Sequence, residues 1–252
     1  MPTTATITTI ITMGIIMTDS ENPLAPVPFL RLQSWLSPAF PTGSYSYSHG
    51  LEWAVEAGHV HDRQSLVDWL EADLRYGSGR NEAIFFSEAW RSALDDAGTR
   101  LVEIAELAAA FRGTSEFALE SSQQAAAYLV TMRQVWPDPA LDCLSKILYE
   151  HHVPPAVSVV LGVGSASLGI PLRVALPAFL QSYVANFVTA GIRLIPLGQT
   201  DGQSAIARLE ESVMTTTIQA EDSTIDNLGS AAFMVDLASM AHETQYTRLF
   251  RS

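Results

Sequence analysis

The 252 residues are 48% hydrophobic and 16% charged, a composition that predicts a globular body and excludes a largely disordered chain. The formal net charge of -13 repels the phosphates of nucleic acids and of anionic membranes, so neither is expected as a partner. The only lysine, Lys146, lies outside any glycine-rich phosphate loop, which excludes the P-loop nucleotide hydrolases, and the only cysteine, Cys143, excludes disulfide frameworks and multi-cysteine metal sites.

The N-terminal segment 1–28 is predicted to be a flexible extension. It is rich in threonine and apolar residues, and no basic residue precedes the apolar stretch as it would in a secretory signal. Together with the single cysteine, this predicts a reduced, cytoplasmic location. From residue 29 to residue 252, apolar residues recur at helical spacing and strand-like alternation is scarce. This pattern predicts one all-helical domain.

Capping residues, glycines and prolines bound the helices that are predicted in the first half of the chain. These helices run after Asp62 to Gly77, over 81–94, over 99–113, after Ser115 to Pro137, and around 143–147.

In the second half, the stretch 156–168 is almost wholly apolar, which predicts a helix enclosed on all sides. The surrounding uncharged run 153–172 is long enough to cross a bilayer, but its prolines, glycines and serines favour a buried helix. The further predictions are a long helix over 176–194 that Pro177 starts or kinks, a helix through Leu209, a loop over 215–226, and a last helix over 228–242. The expected fold is a single-domain, all-α bundle of about ten helices around this buried central helix.

The histidines do not form a recognisable metal motif. His59 and His61 are two apart and His151 and His152 are adjacent, whereas a helical zinc site would place a pair four apart beside a carboxylate. No G-x-S-x-G turn or complete dinucleotide fingerprint occurs either. We therefore expect no catalytic centre, no cofactor and no metal site. The alternative is a metal-handling protein or metalloenzyme that binds a metal ion directly through some of its histidines, namely His49, His59, His61, His151 and His152.

Three polar clusters remain as candidate contact surfaces: the first motif (37–53), the loop motif (196–203) and the tail (242–252). Aromatic residues and arginines are enriched at protein interfaces. The candidate partner-binding residues are Tyr45, Tyr47, His49, Glu52, Gln199, Asp201, Gln203, His242, Glu243, Tyr246, Arg248, Leu249, Phe250 and Arg251. For the tail, the alternative is a terminal turn that folds back on its own core.

The three motifs, S-P-A-F-P-T-G-S-Y-S-Y-S-H-G-L-E-W, R-L-I-P-L-G-Q-T-D-G-Q from Arg193 to Gln203, and H-E-T-Q-Y-T-R-L-F-R-S, resemble the UreF family of urease accessory proteins in sequence, order and spacing. The resemblance runs from about residue 29 to residue 252, and neither 1–28 nor 215–226 can be matched.

This resemblance implies an all-helical, non-enzymatic homodimer that bridges UreD (also called UreH) and the GTPase UreG. Such proteins support GTP-dependent nickel insertion into apo-urease. The resemblance further implies that the tail orders on the UreD-like partner, with Leu249 and Phe250 buried and the arginines paired. Tyr45 to Glu52 and Gln199 to Gln203 would then contact the GTPase or the second copy of the chain.

Overall fold

The computed structural model describes residues 26–95 and 98–252. This part of the chain forms eleven α-helices without a strand, which confirms the all-α prediction. The helices are α1 (Pro26–Trp35), α2 (Leu51–Glu56), α3 (Arg63–Tyr76), α4 (Ser78–Leu94), α5 (Gly98–Ala110), α6 (Ser115–Val135), α7 (Pro139–Glu150), α8 (Val157–Ser167), α9 (Leu172–Leu194), α10 (Gln199–Glu221) and α11 (Phe233–His242).

The first helix begins within the segment that was predicted as an extension. Residues 1–25 lie outside the described residues, whereas Pro26 opens α1. Proline is tolerated at a first helical position because the N–H it lacks would have no partner inside the helix. Leu32 and Trp35 then bury one side of α1.

The predicted capping residues set the helix boundaries in the first half. The Asp62 side chain accepts from the backbone N–H of Ser65 at the start of α3, and the side chain of Ser65 accepts from the backbone N–H of Asp62. This reciprocal arrangement satisfies two backbone donors at the helix start. Thr114 caps α6 in a similar way, by accepting from the N–H of Phe117.

Helix α8 is buried over all of residues 158–166 and contacts α4, α5, α6, α7 and α9. At Gly162 it approaches α4 closely, and an added Cβ would lie 2.6 Å from the carbonyl oxygen of Phe86. The two helix backbones can therefore approach this closely only because residue 162 has no side chain. Among the described residues, no helix is both long enough and apolar enough to cross a membrane.

The predicted loop over 215–226 is wrong, because α10 continues to Glu221. The Thr215 hydroxyl donates to the carbonyl of Glu211, and the Thr217 hydroxyl donates to that of Val213, each at 2.8 Å. Threonine side chains that bond to the carbonyl four residues earlier are compatible with a helix. The sequence pattern failed here because polar threonines occupy positions of α10 that face the rest of the protein.

Two further boundaries also differ from those predicted. Helix α9 begins at Leu172, so Pro177 lies inside the helix and does not start it. Helix α11 begins only at Phe233, and residues 228–232 before it are not helical.

We predict that Gly162→Ala lowers the free energy of unfolding by about 1 to 3 kcal/mol, because the new methyl group forces α4 and α8 apart. Urea unfolding followed by circular dichroism measures this change. Gly98→Ala in α5 is the matched control, since a Cβ at Gly98 meets nothing within 4 Å. Equal midpoints for the two variants would contradict the prediction.

Candidate functional site

The tail folds back on its own chain. His242 is 0% exposed, Phe250 is 3% exposed and Ser252 is 1% exposed. Tyr246 and Leu249, by contrast, have relative exposures of 102% and 57%. The backbone of the tail therefore has the alternative conformation given above, a terminal turn that folds back on its own core. The expectation that Leu249 and Phe250 are buried together on a partner does not describe this conformation, because Phe250 already lies in the core of its own chain.

Two buried carboxylates hold the tail. Glu52 of α2 accepts the backbone N–H groups of Leu249 and Phe250 at 2.6 and 2.8 Å. Glu116 of α6 accepts from Nη1 of Arg248 at 2.8 Å. Hydrogen bonds of this kind to ionised carboxylates are stronger than those between neutral groups. Glu52, predicted as a partner-binding residue, therefore acts inside the chain.

The tail and the first motif form one site. The backbone N–H of Ser48 donates to the carbonyl of Ser252 at 2.7 Å, and that of Arg251 donates to the carbonyl of Ser46 at 2.8 Å. The Ser252 hydroxyl donates to Glu120 at 2.6 Å. These contacts join two segments that are about two hundred residues apart in the sequence.

Arg193, at the end of α9, connects this site to the segment that precedes the loop motif. Its guanidinium carbon lies 4.3 Å from the ring centroid of Phe250, and its Nη1 donates to the carbonyl of Tyr45 at 2.6 Å. A guanidinium over an aromatic face is a favourable cation–π arrangement. Tyr45 itself points to solvent, with a relative exposure of 73%.

The loop motif is exposed and makes different contacts. Asp201 accepts the backbone N–H of Gly198 at 3.2 Å and lies 3.5 Å from Nη1 of Arg63. Gln199 and Gln203 are exposed on the first turns of α10. Asp201 is thus partly occupied in starting the helix, whereas the two glutamines present free surface.

A buried polar cluster lies beneath the first motif. The imidazole of His49 stacks on the ring of Phe117 at 3.7 Å between centroids, and its Nδ1 is 3.4 Å from Glu120. Asp73 of α3 accepts from the N–H groups of Ser78 and Gly79. It also accepts from the hydroxyl of Tyr183 at 2.8 Å. His49, Glu120 and Tyr183 also line a pocket of about 90 Å³.

The pKa values in this cluster are displaced. Burial lowers the pKa of His49, but the hydrogen bond and the charge of Glu120 outweigh burial and leave the pKa above 6.5. Burial raises the pKa of Asp73, and burial followed by the charge of Asp73 raises the pKa of Tyr183 well above its usual value. His49, predicted to bind a partner, is only 9% exposed and makes its contacts inside the chain.

Sequence reasoning missed Asp73, Glu116, Glu120 and Tyr183. Each lies within a helix beside apolar residues, where one acid or one tyrosine gives no periodic signal. The left-handed backbone of His49, with φ 56°, followed by Gly50 with φ 75°, is the local feature that turns the first motif inwards. The pair His49-Gly50 was the available clue, because glycine is favoured in such a conformation.

The histidines of the metal-handling alternative do not converge. His49 is buried, whereas the other four are exposed, namely His59, His61, His151 and His152. Within residues 26–95 and 98–252, no group of three or more His, Cys, Asp and Glu side chains has an arrangement that could hold a metal ion.

We predict that His49→Gln flattens the pH dependence of stability in the range that begins at pH 6.5 and extends upwards through the folded pKa of His49. Because the folded pKa of His49 lies above the unfolded value of 6.5, its protonation stabilises the native chain fully below pH 6.5. This contribution is lost as the pH rises through the folded pKa. Urea unfolding at a series of pH values tests the slope, and an unchanged slope in the variant would contradict the assignment.

The chain is similar to known urease accessory proteins over most of its length. A family model described as UreF matches residues 60–210. Urease accessory protein UreF from Rhodopseudomonas palustris (strain BisB5) is 47% identical over 222 residues, covering 88% of this chain and 90% of that protein. The protein of the same name from Bradyrhizobium diazoefficiens has the same identity and coverage. A further relative, from Rhodopseudomonas palustris (strain TIE-1), is 46% identical over 93% of this chain and 99% of its own length. The chain therefore belongs to the UreF family of urease accessory proteins.

Proposed function

We propose that this chain is a non-enzymatic scaffold of urease maturation that bridges a UreD/UreH-type accessory protein and the GTPase UreG. In this assembly, GTP hydrolysis by UreG supports the insertion of nickel into apo-urease. The relatives' shared name, urease accessory protein UreF, supports the process. The observation that carries the role is the conformation of the tail, whose backbone is hydrogen-bonded to Glu52 while the side chains of Tyr246 and Leu249 face solvent.

The tail face consists of the exposed residues Tyr246, Arg248, Leu249 and Arg251, and we assign it to the UreD-like partner. Exposed aromatic, leucine and arginine side chains on an ordered backbone are suited to binding, because large apolar and guanidinium groups supply most of the energy of many interfaces. An ordered backbone also avoids most of the entropy loss that a disordered peptide would suffer on binding. Glu243 lies at the edge of this face, where it accepts from the hydroxyl of Ser115.

Two further surfaces contact UreG or the second copy of the chain in a homodimer. These surfaces are formed by Tyr45 in the first motif and by Gln199 and Gln203 in the loop motif, all of which are exposed. Asp201 adds an acceptor beside the two glutamines. The remaining predicted contact residues are buried and act indirectly, by holding these surfaces in place: Tyr47, His49, Glu52, His242 and Phe250.

Nucleotide chemistry is assigned to the partner because this chain has one lysine and no phosphate loop. A cytoplasmic location places the scaffold beside UreG and apo-urease. The decisive experiment is reconstitution of urease activation from purified apo-urease, UreD, UreG, nickel and GTP, with and without this chain. We expect urease activity only when the chain is present, and equal activation without it would overturn the proposal.

We predict that the double variant Tyr246→Ala/Leu249→Ala lowers the affinity for the UreD-like protein by about tenfold to a hundredfold, as expected for the loss of two interface anchors. Both side chains are exposed, so the helix content and the unfolding midpoint should not change. Co-purification followed by titration calorimetry measures the affinity.

The matched control is Tyr149→Ala/Leu94→Ala, which removes a tyrosine and a leucine that are 80% and 55% exposed elsewhere on the surface. The control should bind normally. Normal binding by the tail variant would show that the tail face does not contact this partner. Point variants are preferred to deletion of the tail, because deletion would also remove the buried His242 and Phe250.

A further inference from the structure

His242 lies between the two carboxylates that hold the tail. Its side chain is completely buried at the end of α11. Nδ1 is 2.7 Å from Oε2 of Glu116, and Nε2 is 3.2 Å from Oε2 of Glu52. Both ring nitrogens therefore face a carboxylate oxygen. An ionised carboxylate accepts hydrogen bonds but cannot donate one.

The other hydrogen bonds of Glu52 and Glu116 indicate whether these carboxyl groups are ionised. Glu52 accepts two backbone N–H groups, from Leu249 and Phe250, and Glu116 accepts from Arg248. Donors of this kind favour the ionised form of a carboxyl group. A neutral imidazole has only one N–H group, so it would leave a lone pair facing one of the two carboxylates.

We infer that His242 is a doubly protonated imidazolium that positions the tail, by donating to Glu52 and Glu116 at the same time. One buried cation then joins α2, α6 and α11 to the backbone of residues 248–250. We call this arrangement the tail clamp and define it as Glu52, Glu116 and His242. The inference rests on the proposed function only in taking the clamped tail as the face that meets a partner.

Removal of the cation has a specific consequence. The side chains of Glu52 and Glu116 are only 9% and 10% exposed, so without His242 they would be two buried carboxylates with incomplete compensation. They would relax towards solvent and release the N–H groups of Leu249 and Phe250. His242 is therefore a positioning residue for Tyr246 and Leu249, although it does not contact the partner itself.

The first test uses the isolated, full-length native chain. Ring ¹⁵N chemical shifts measured by NMR at neutral pH should show both nitrogens of His242 in the protonated form. A neutral ring would overturn the inference. This measurement needs no variant, so it remains decisive even if a substitution in the clamp prevents folding.

The second test is amide hydrogen exchange of Leu249 and Phe250 in His242→Gln, Glu52→Gln and Glu116→Gln. We expect each variant to speed exchange by about tenfold or more, since each weakens a charge-assisted hydrogen bond of the clamp. His151→Gln is the matched control, because that histidine is exposed and its nearest carboxylate, on Glu106, is 3.9 Å away.

The glutamine variants separate the two possible positions of the proton. If one glutamate were protonated and the ring neutral, glutamine at that position would mimic the protonated carboxyl group and leave exchange unchanged. If Glu52→Gln or Glu116→Gln leaves the amide exchange of Leu249 and Phe250 unchanged, the inference is overturned. Failure of the native chain to bind the UreD-like protein would count against the proposed function but leave these measurements unaffected, so the two failures are distinguishable.

Discussion

The proposed docking face depends on the hydrogen bonds between the carboxylate of Glu52 and the backbone of the tail. Glu52 belongs to α2, near the start of the chain, yet its side chain accepts the backbone N–H groups of Leu249 and Phe250 near the end. A buried carboxylate is stable only when its hydrogen-bonding capacity is satisfied. Glu52 and the tail therefore stabilise each other, and the side chain of Leu249 faces solvent while its backbone N–H donates to Glu52.

The interior of the bundle combines two regions of different character. Around α8 the packing is apolar and close, and Gly162 permits direct approach of the backbone of α4. Beneath the first motif, buried ionisable groups have polar partners instead. His49 lies beside Glu120, and Asp73 accepts the backbone N–H of Ser78. Such polar clusters specify geometry more than they add stability, because desolvation offsets much of the gain from pairing. The apolar packing around α8 thus supports the bundle, while the polar cluster holds the first motif in one defined arrangement.

Sequence patterns are informative where a structural feature depends on residues that are close together in the chain. Asp62 and Gly77 mark helix boundaries because capping depends on residues that are close in the chain. The predicted loop over 215–226 was wrong, because Thr215 and Thr217 satisfy their hydroxyls within α10. The resemblance of the three motifs identified the family correctly. It did not distinguish Phe250, which is buried in its own chain, from its exposed neighbour Leu249.

The sequence by itself determined the all-α class, most of the helix positions, the absence of a phosphate-binding lysine loop, and membership of the UreF family. These properties depend on composition, on local spacing and on short motifs that can be read without a folded chain. Only the tertiary structure decided that Glu52, Glu116 and His242 meet, and that Tyr246 faces outwards while Phe250 faces inwards. Contacts between α2, α6 and the tail join residues more than one hundred positions apart, and periodicity along a chain carries no information about such pairs.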